Sequence, residues 1–273
     1  MMSQLGDSQV HIALIQADIA LGNPEHNRSH IEKLMQEAVQ TGPTDLIVLP
    51  EMWNTGYALD RIHELADAEG QETRAWVSEF ARTHAVNVVA GSIAEKRADG
   101  QIYNTMYVFD REGNTVTSYS KIHLFRLMDE EKYLQAGTEQ VQFELDGHIR
   151  AGASICYDIR FPELARSLAL SGANMLIVPA EWPHPRLHHW RTLLTARAIE
   201  NQMYVLACNR VGRGGETEFF GHSTIIDPWG EIVAEGGEAE GIVRGSITPG
   251  LVTEVRGRIP VFEDRRPTLY SLD

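Results

Sequence analysis

The run Leu46-Ile47-Val48-Leu49 passes directly into Pro50-Glu51. Four apolar residues stopped by a proline read as a short, fully buried strand. A carboxylate at the end of such a strand is costly unless it is paired or used. The pattern returns twice. Ala151-Gly152-Ala153-Ser154-Ile155 leads into Cys156, and Met175-Leu176-Ile177-Val178 leads into Pro179-Ala180-Glu181-Trp182. Short buried strands set among amphipathic helical segments confine the chain to an α/β fold with mixed sheets.

The remaining periodicities fill in that frame. His11 to Gln16 reads as a first strand. Pro24 to Val39 reads as a helix with Ile31, Leu34, Met35 and Ala38 on one face. A helix over Glu72 to Ala85 precedes a strand over Asn87 to Ser92. Tyr103 to Phe109 and Thr115 to Ser120 pair as a hairpin across Asp110-Arg111-Glu112-Gly113. In the second half, a helix over Trp190 to Asn201 precedes a strand over Tyr204 to Ala207. Ser223 to Ile226 then turns through Asp227-Pro228-Trp229-Gly230 into Glu231-Ile232-Val233. The segments 108–116 and 225–233 are similar, as an internal duplication or hairpin chemistry alone would make them.

Cys156 is the residue with the clearest chemical potential. Pro162 sits where a first helical turn would start, ahead of the amphipathic run Leu164 to Leu170. The thiol therefore lies on a sharp strand-to-helix connection, where backbone N–H groups favour a thiolate. Read by itself, Cys156 fits equally as a buried small side chain. A single lysine in Tyr119-Ser120-Lys121-Ile122-His123-Leu124-Phe125 follows another strand-like stretch. Glu51, Lys121 and Cys156 in that order are far less expected by chance than any one of them.

Composition narrows the partners. The 273 residues carry a formal net charge of −14 and two cysteines. The acidic balance argues against nucleic-acid or anionic-membrane partners, and two cysteines make no disulfide framework. Met1 to Val10 is polar and too short for a signal h-region, and no apolar run approaches the ~20 residues of a membrane span. A cytoplasmic location is the expectation. No linker or low-complexity run divides the chain, so residues 1–273 are expected to form a single domain.

Leu-Pro-Glu51, Ser-Lys121-Ile-His-Leu and Ile-Cys156-Tyr-Asp-Ile-Arg-Phe-Pro-Glu, joined by Arg197-Ala198-Ile199-Glu200-Asn201 and Gly221-His222-Ser223, resemble the nitrilase, or carbon–nitrogen hydrolase, superfamily. The resemblance implies a four-layer α-β-β-α sandwich of two mixed sheets and a Glu-Lys-Cys triad at Glu51, Lys121 and Cys156. It implies no cofactor. It also implies a homodimer or larger homo-oligomer, with Phe161 to Gly172 and the tail from about residue 250 at a two-fold interface. A second glutamate in the loop after the lysine is common in the family. Glu131 fits that pattern better than Glu130, and a solvated acidic turn is the alternative.

Amide chemistry then gives each residue a task. Cys156 attacks the carbonyl, and burial raises the pKa of Glu51 so that it carries protons. The charge of Lys121 and the backbone N–H of Tyr157 meet the oxyanion. Cys156-Tyr157-Asp158-Ile159-Arg160-Phe161-Pro162-Glu163 most resembles the omega-amidase branch, which implies terminal amides of 2-oxo-dicarboxylic acids such as 2-oxoglutaramate. Arg160 is the expected carboxylate clamp, unless it pairs with Glu163. Trp182, Tyr57 and Phe125 are candidate pocket walls, or core. Other amidases, N-carbamoyl amidohydrolases and nitrilases of the superfamily are the nearest alternatives. Two rival classes stand further off. A metal hydrolase would use His184, His188 and His189, but Pro183 and Pro185 interrupt a shared helix, and His63-Glu64 lacks a second histidine. A non-catalytic binding protein would not need the triad.

Overall fold

The structure, a computed structural model, describes residues 9–270. The polar N-terminal stretch and the last three residues of the tail lie outside the described residues. The first half runs β1 (Val10–Gln16), α1 (Pro24–Thr41), β2 (Leu46–Val48), α2 (Ile62–Leu65), β3 (Asp67–Ala68), α3 (Gln71–His84), β4 (Asn87–Val89), β5 (Ile93–Lys96), β6 (Ile102–Phe109), β7 (Thr115–Ser120) and α4 (Glu130–Tyr133). The second half runs β8 (Gln142–Leu145), β9 (Ile149–Ala153), α5 (Pro162–Leu170), β10 (Met175–Ala180), α6 (Leu187–Asn201), β11 (Tyr204–Asn209), β12 (Val211–Gly214), β13 (Thr217–Phe220), β14 (Thr224–Ile226), β15 (Ile232–Glu235), β16 (Gly241–Ile247) and α7 (Gly250–Arg258).

Two mixed sheets and a two-stranded β12-β13 ribbon result. The first has the order β16-β1-β2-β4-β6-β5-β3, with β7 paired to β6; the second has the order β15-β14-β11-β10-β9-β8. Period-two alternation decides which face each residue serves. Ile12, Leu14, Leu46 and Val48 point into a core shared with Ala151, Ile177, Val205 and Ile225 of the second sheet. Their neighbours Ala13, Ile15, Ile47 and Leu49 point the other way, onto Ile31, Met35, Val77 and Phe80 of α1 and α3. Leu164 and Leu168 of α5 and Leu194 and Ala198 of α6 cover the second sheet from outside. The layers are therefore helix, sheet, sheet, helix. Cys208 Sγ donates to Ile15 O at 3.3 Å, so this cysteine ties β11 to β1 across the sandwich.

The helix starts follow their local signals. Asn23 caps α1 by accepting from His26 N at 3.3 Å, with Pro24 at the first position. Pro162 likewise takes the first position of α5, where Phe161 offers no side-chain cap. The two similar hairpins share one turn. Asp110 Oδ1 accepts from Glu112 and Asn114 N–H, and Asp227 Oδ1 accepts from Trp229 and Glu231 N–H.

Three features differ from the sequence expectation. The strand β16 runs antiparallel to β1, with Val10 opposite Ile247 and Gln16 opposite Gly241, although its two glycines dilute the strand signal. The tail contains α7, whose Val252 and Val255 are buried although no helical period stands out. Finally, the chain does not pass from strand to α-helix at Cys156. A 3₁₀ turn over Cys156–Arg160 comes first, and α5 starts only at Pro162.

One glycine is dictated by close approach. Gly91 has φ of 53°, and a Cβ there would sit 2.0 Å from Pro50 O. It lets the loop after β4 lie flat against the segment that carries Glu51. Gly91→Ala should destabilise the fold by more than about 3 kcal/mol, because the clash adds to the left-handed backbone cost. Gly100→Ala, also at positive φ but with nothing within 4 Å, should cost only about 1–2 kcal/mol. Urea unfolding of both variants reads the difference, and similar costs would show that the loop yields.

Candidate active site

The ends of β2, β7, β9 and β10 deliver polar side chains to one place. Glu51 lies just past β2, in a loop held rigidly from beneath. Met52 N donates to Ser92 Oγ at 3.0 Å, Trp53 Nε1 to Ala90 O at 2.9 Å, and Asn27 Nδ2 to Asn54 O at 3.0 Å. Lys121 follows β7, and its N–H donates to Asn104 O at 2.9 Å. Cys156 follows β9 with φ of 46°, a conformation unusual for a side-chain-bearing residue.

Around Glu51 the contacts are dense. Its Oε1 accepts from Tyr57 OH at 2.7 Å, Asn104 Nδ2 at 2.8 Å and Lys121 Nζ at 2.8 Å. Its Oε2 accepts from Glu181 N–H at 2.7 Å, and the Cys156 thiol lies within its reach. Lys121 Nζ also donates to Glu130 Oε1 at 2.7 Å. Glu130 Oε1 lies 2.6 Å from Tyr57 OH, and its Oε2 accepts from Phe125 N–H at 3.0 Å. Glu51, Lys121 and Glu130 are all fully buried.

The second glutamate is therefore Glu130, and the preference for Glu131 is corrected. Glu131 is exposed. Asp129 takes a left-handed φ of 59° immediately before α4, which turns Glu130 inward and its neighbour to solvent.

Two expectations about charge are also corrected. Burial would raise the pKa of Glu51, but the charge of Lys121 and hydrogen bonds from Lys121 and Tyr57 outweigh it, and the net shift is downward. Burial pushes the Cys156 thiol well above its ordinary value, and the Glu51 charge pushes it further against the pull of Lys121. The helix-start argument for a thiolate fails because α5 begins six residues beyond Cys156. Burial would lower Lys121, yet Glu130 and Glu51 hold it well above its usual range. Glu130 is raised by burial and by Glu51, with Lys121 opposing. The resting site is thus a neutral thiol beside an ionised carboxylate and a charged lysine.

Asp158 locks two of these segments together. It accepts from Tyr119 OH at 2.7 Å, His123 N–H at 3.0 Å and Ile155 N–H at 2.9 Å. The His123 ring nitrogen Nδ1 lies 2.8 Å from it as well. The residues two before and two after Lys121 are thereby tied to the residue before Cys156. Asp158, Asn104 and Glu130 are the supports that sequence reasoning did not select. Asp158 stood inside the Cys156 motif, whereas Asn104 gave no signal beyond its place in a strand.

A small pocket lies over Cys156. Tyr57, Phe125 and Trp182, the expected walls, line it together with Arg160, the expected clamp, and with Glu181 and Arg186. Tyr57 has a second role, since its hydroxyl bridges the two glutamates. Arg160 does not pair with exposed Glu163. Its guanidinium lies 4.6 Å from the Trp182 ring centre, and Nη2 is 3.4 Å from His189 Nδ1. The charged groups acting on it include Arg186 but no carboxylate. Arg186, 5.6 Å from the Phe125 ring centre, is a second cation at the mouth that the sequence reading passed over. Tyr157 stands second in the 3₁₀ turn, where a leading N–H has no acceptor within the turn.

The histidines do not assemble. His184 donates its N–H to Glu218 O before α6 begins, while His188 and His189 are inside it. Among the described residues no group of three His, Cys, Asp or Glu could hold a metal ion. No helix among them is long and apolar enough to cross a membrane.

Comparison with known proteins gives one answer. The model of the carbon–nitrogen hydrolase family matches residues 11–257. The chain is 49% identical to the 2-oxoglutaramate amidase of Bacillus subtilis, over 95% of this chain and 98% of that one. It is 34% identical to the omega-amidase of Homo sapiens, over 96% of this chain and 97% of that one. The crystal structure of Nit3 from Saccharomyces cerevisiae, a member of branch 10 of the nitrilase superfamily, superposes with a TM-score of 0.88 at 30% identity. That superposition covers 96% of this chain and 98% of that chain.

The site makes a sharp distinction between neighbouring glutamates. Glu130→Gln should lower turnover about 10²-fold, because it removes a buried charge from Lys121, whereas Glu131→Gln should stay within about twofold of the parent. Ammonia release by the two variants, with circular dichroism to check folding, measures this. Equal effects would remove Glu130 from the site.

Proposed function

The chain belongs to the carbon–nitrogen hydrolase family, and from that premise we propose that it hydrolyses the terminal amide of a small carboxylate-bearing substrate, such as 2-oxoglutaramate. Acid and ammonia are the products, and a thioester on Cys156 is the intermediate. The observation that carries this reading is the meeting of buried Glu51, Lys121 and Cys156 beneath a small cavity lined by two guanidiniums, Arg160 and Arg186, that have no carboxylate partner among the described residues.

The chemistry follows from the charge states. Ionised Glu51 takes the thiol proton as sulfur attacks the amide carbon. Neutral Cys156 thus becomes a nucleophile only as its proton leaves. The tetrahedral oxyanion is met by the Tyr157 N–H and by the charge of Lys121. Lys121 Nζ donates to Glu51, to Glu130 and, at 3.3 Å, to Tyr57 OH, so its contribution to the oxyanion is its field rather than an added hydrogen bond. Protonated Glu51 then gives its proton to the leaving nitrogen, and ammonia departs. Water enters, Glu51 takes one of its protons, and the resulting attack releases the acid and restores the thiol. Lys121 stays charged throughout and transfers no proton. The names of the relatives from Bacillus subtilis and Homo sapiens support the amide class.

Arg160, with Arg186 beside it, supplies the attraction for the distal carboxylate in an otherwise acidic protein. Arg160→Met should lower kcat/KM for 2-oxoglutaramate about ten- to a hundredfold, the worth of a charge-assisted hydrogen bond, and spare a neutral aliphatic amide. An ammonia-release panel of 2-oxoglutaramate, 2-oxosuccinamate, glutamine, an aliphatic amide, a nitrile and an N-carbamoyl amine tests the substrate class directly. A preference for nitriles or neutral amides would refute it. Retained turnover in Cys156→Ala would refute the mechanism.

We also propose that the chain works as a homodimer or larger homo-oligomer through α5 and the tail. Leu170, Ile259, Leu269 and Tyr270 expose large apolar surfaces there. Light scattering at micromolar concentration should give at least twice the 30.6 kDa chain mass. A fully active monomer would mean that this surface stays uncovered.

A further inference from the structure

Glu181 is a carboxylate in the pocket wall that the chemistry above does not use. It lines the cavity with Cys156 and Arg160, and its side chain is wholly buried. Its backbone N–H is committed to Glu51 Oε2, as described above. Its Oε1 lies 3.5 Å from Arg210 Nη1, a stretched contact. Arg210 directs its guanidinium mainly elsewhere. Its Nη2 donates to Ile19 O at 2.7 Å and to Asp18 Oδ1 at 3.2 Å, and its Nε donates to Val211 O at 3.1 Å. Glu181 Oε2 is left with no hydrogen-bond partner among the described residues. A buried oxygen without a partner is costly, and in a residue that lines a substrate cavity the unmet bond suggests what completes it.

We propose that Glu181 is a specificity-determining residue that donates a hydrogen bond from Oε2 to an uncharged carbonyl oxygen of the substrate, between the scissile amide and the carboxylate taken by Arg160 and Arg186. The proposal rests on the carboxylate-bearing amide as substrate, and the 2-oxo group is the acceptor it specifies. The groups facing Glu181 set its proton. Arg210, with Asp18 on its far side, lies behind it. Glu51, Lys121 and Tyr57 lie beside it, and Cys156, Arg160 and Arg186 line the same cavity. Burial raises Glu181, Arg210 opposes, Glu51 adds to the rise, and the outcome is about 8. At neutral pH it carries its proton. Because Oε1 is turned to the Arg210 donors, the hydroxyl falls on Oε2. Above about 8 the proton leaves, the donor is lost, and a negative charge stands beside Glu51 and opposite the substrate's own carboxylate. A site built to bond one substrate oxygen rejects the analogue that lacks it, since the donor is then left unpaired.

The test compares 2-oxoglutaramate with glutaric acid monoamide, which lacks the 2-oxo group, from about pH 6 to about pH 10. The parent enzyme should prefer the oxo compound in kcat/KM by at least about tenfold at neutral pH, and lose that preference as pH rises through about 8. Glu181→Met should remove most of the preference, its loss on the oxo compound exceeding its loss on the monoamide about tenfold. Glu181→Gln keeps an N–H donor that does not titrate. It should lose less than about tenfold on the oxo compound and show no alkaline decline near 8. Equal loss on both compounds in Glu181→Met, or an unchanged alkaline limb in Glu181→Gln, overturns the role of Glu181 while the amidase reading stands. If the parent enzyme turns over neither compound but releases ammonia from a neutral amide, both readings fall. Should Glu181→Met fail to fold, the pH profile of Glu181→Gln decides alone.

Discussion

The Lys121 ammonium, shared between Glu51 and Glu130, is the interaction on which the rest of the site depends. Three charged groups this deeply buried are tolerable only because each supplies what the others lack. Removing one partner would leave an uncompensated charge in a dry interior, which typically costs about 3–5 kcal/mol. The arrangement also assigns the protons. By attracting both carboxylates, Lys121 keeps Glu51 ionised despite burial, and ionised Glu51 in turn keeps Cys156 protonated. General base and nucleophile are thus poised against each other before any substrate arrives.

The fold exists to bring these groups together from distant parts of the sequence. Glu51 and Lys121 end strands of one sheet, and Cys156 and Glu181 end strands of the other. Face-to-face packing of the sheets converts four separate strand ends into one cavity floor. The bond from Glu181 N–H to Glu51 Oε2 joins the sheets at that floor, and Asp158 joins them beside it. Because strands and packed loops rather than free loops hold the reacting groups, the distances among them are set by the core.

Much of this was legible in the residues. Glu51 and Cys156 stand out because each interrupts the end of an apolar run, where polar groups are rare. Trp182 and Phe125 were legible as large aromatics at strand ends, and Arg160 as the cation just beyond the nucleophile turn. Glu130 was not, because Asp129-Glu130-Glu131 offers three acids and only the left-handed turn at Asp129 decides which faces inward. Arg186 was hidden among prolines and histidines that attracted a different question. The two shifts were misjudged for different reasons. For Glu51, burial can be read from a strand pattern, but the lysine that opposes it is 70 residues away in sequence; for Cys156, the 3₁₀ turn that separates it from the start of α5 has no sequence signal of its own. β16 escaped notice because its partner β1 is more than 200 residues distant, and long-range pairing leaves no local period.

The positive φ at Cys156 and its burial to 5% exposure have a bearing on the life of the enzyme. Peroxides and soft electrophiles attack thiolates far faster than thiols, and only those they can reach. A sulfur held protonated at a kinked strand end, and released only when a bound carbonyl draws it forward, presents little to such reagents between turnovers. The second cysteine, packed between the sheets, would outlast the first even under forcing conditions.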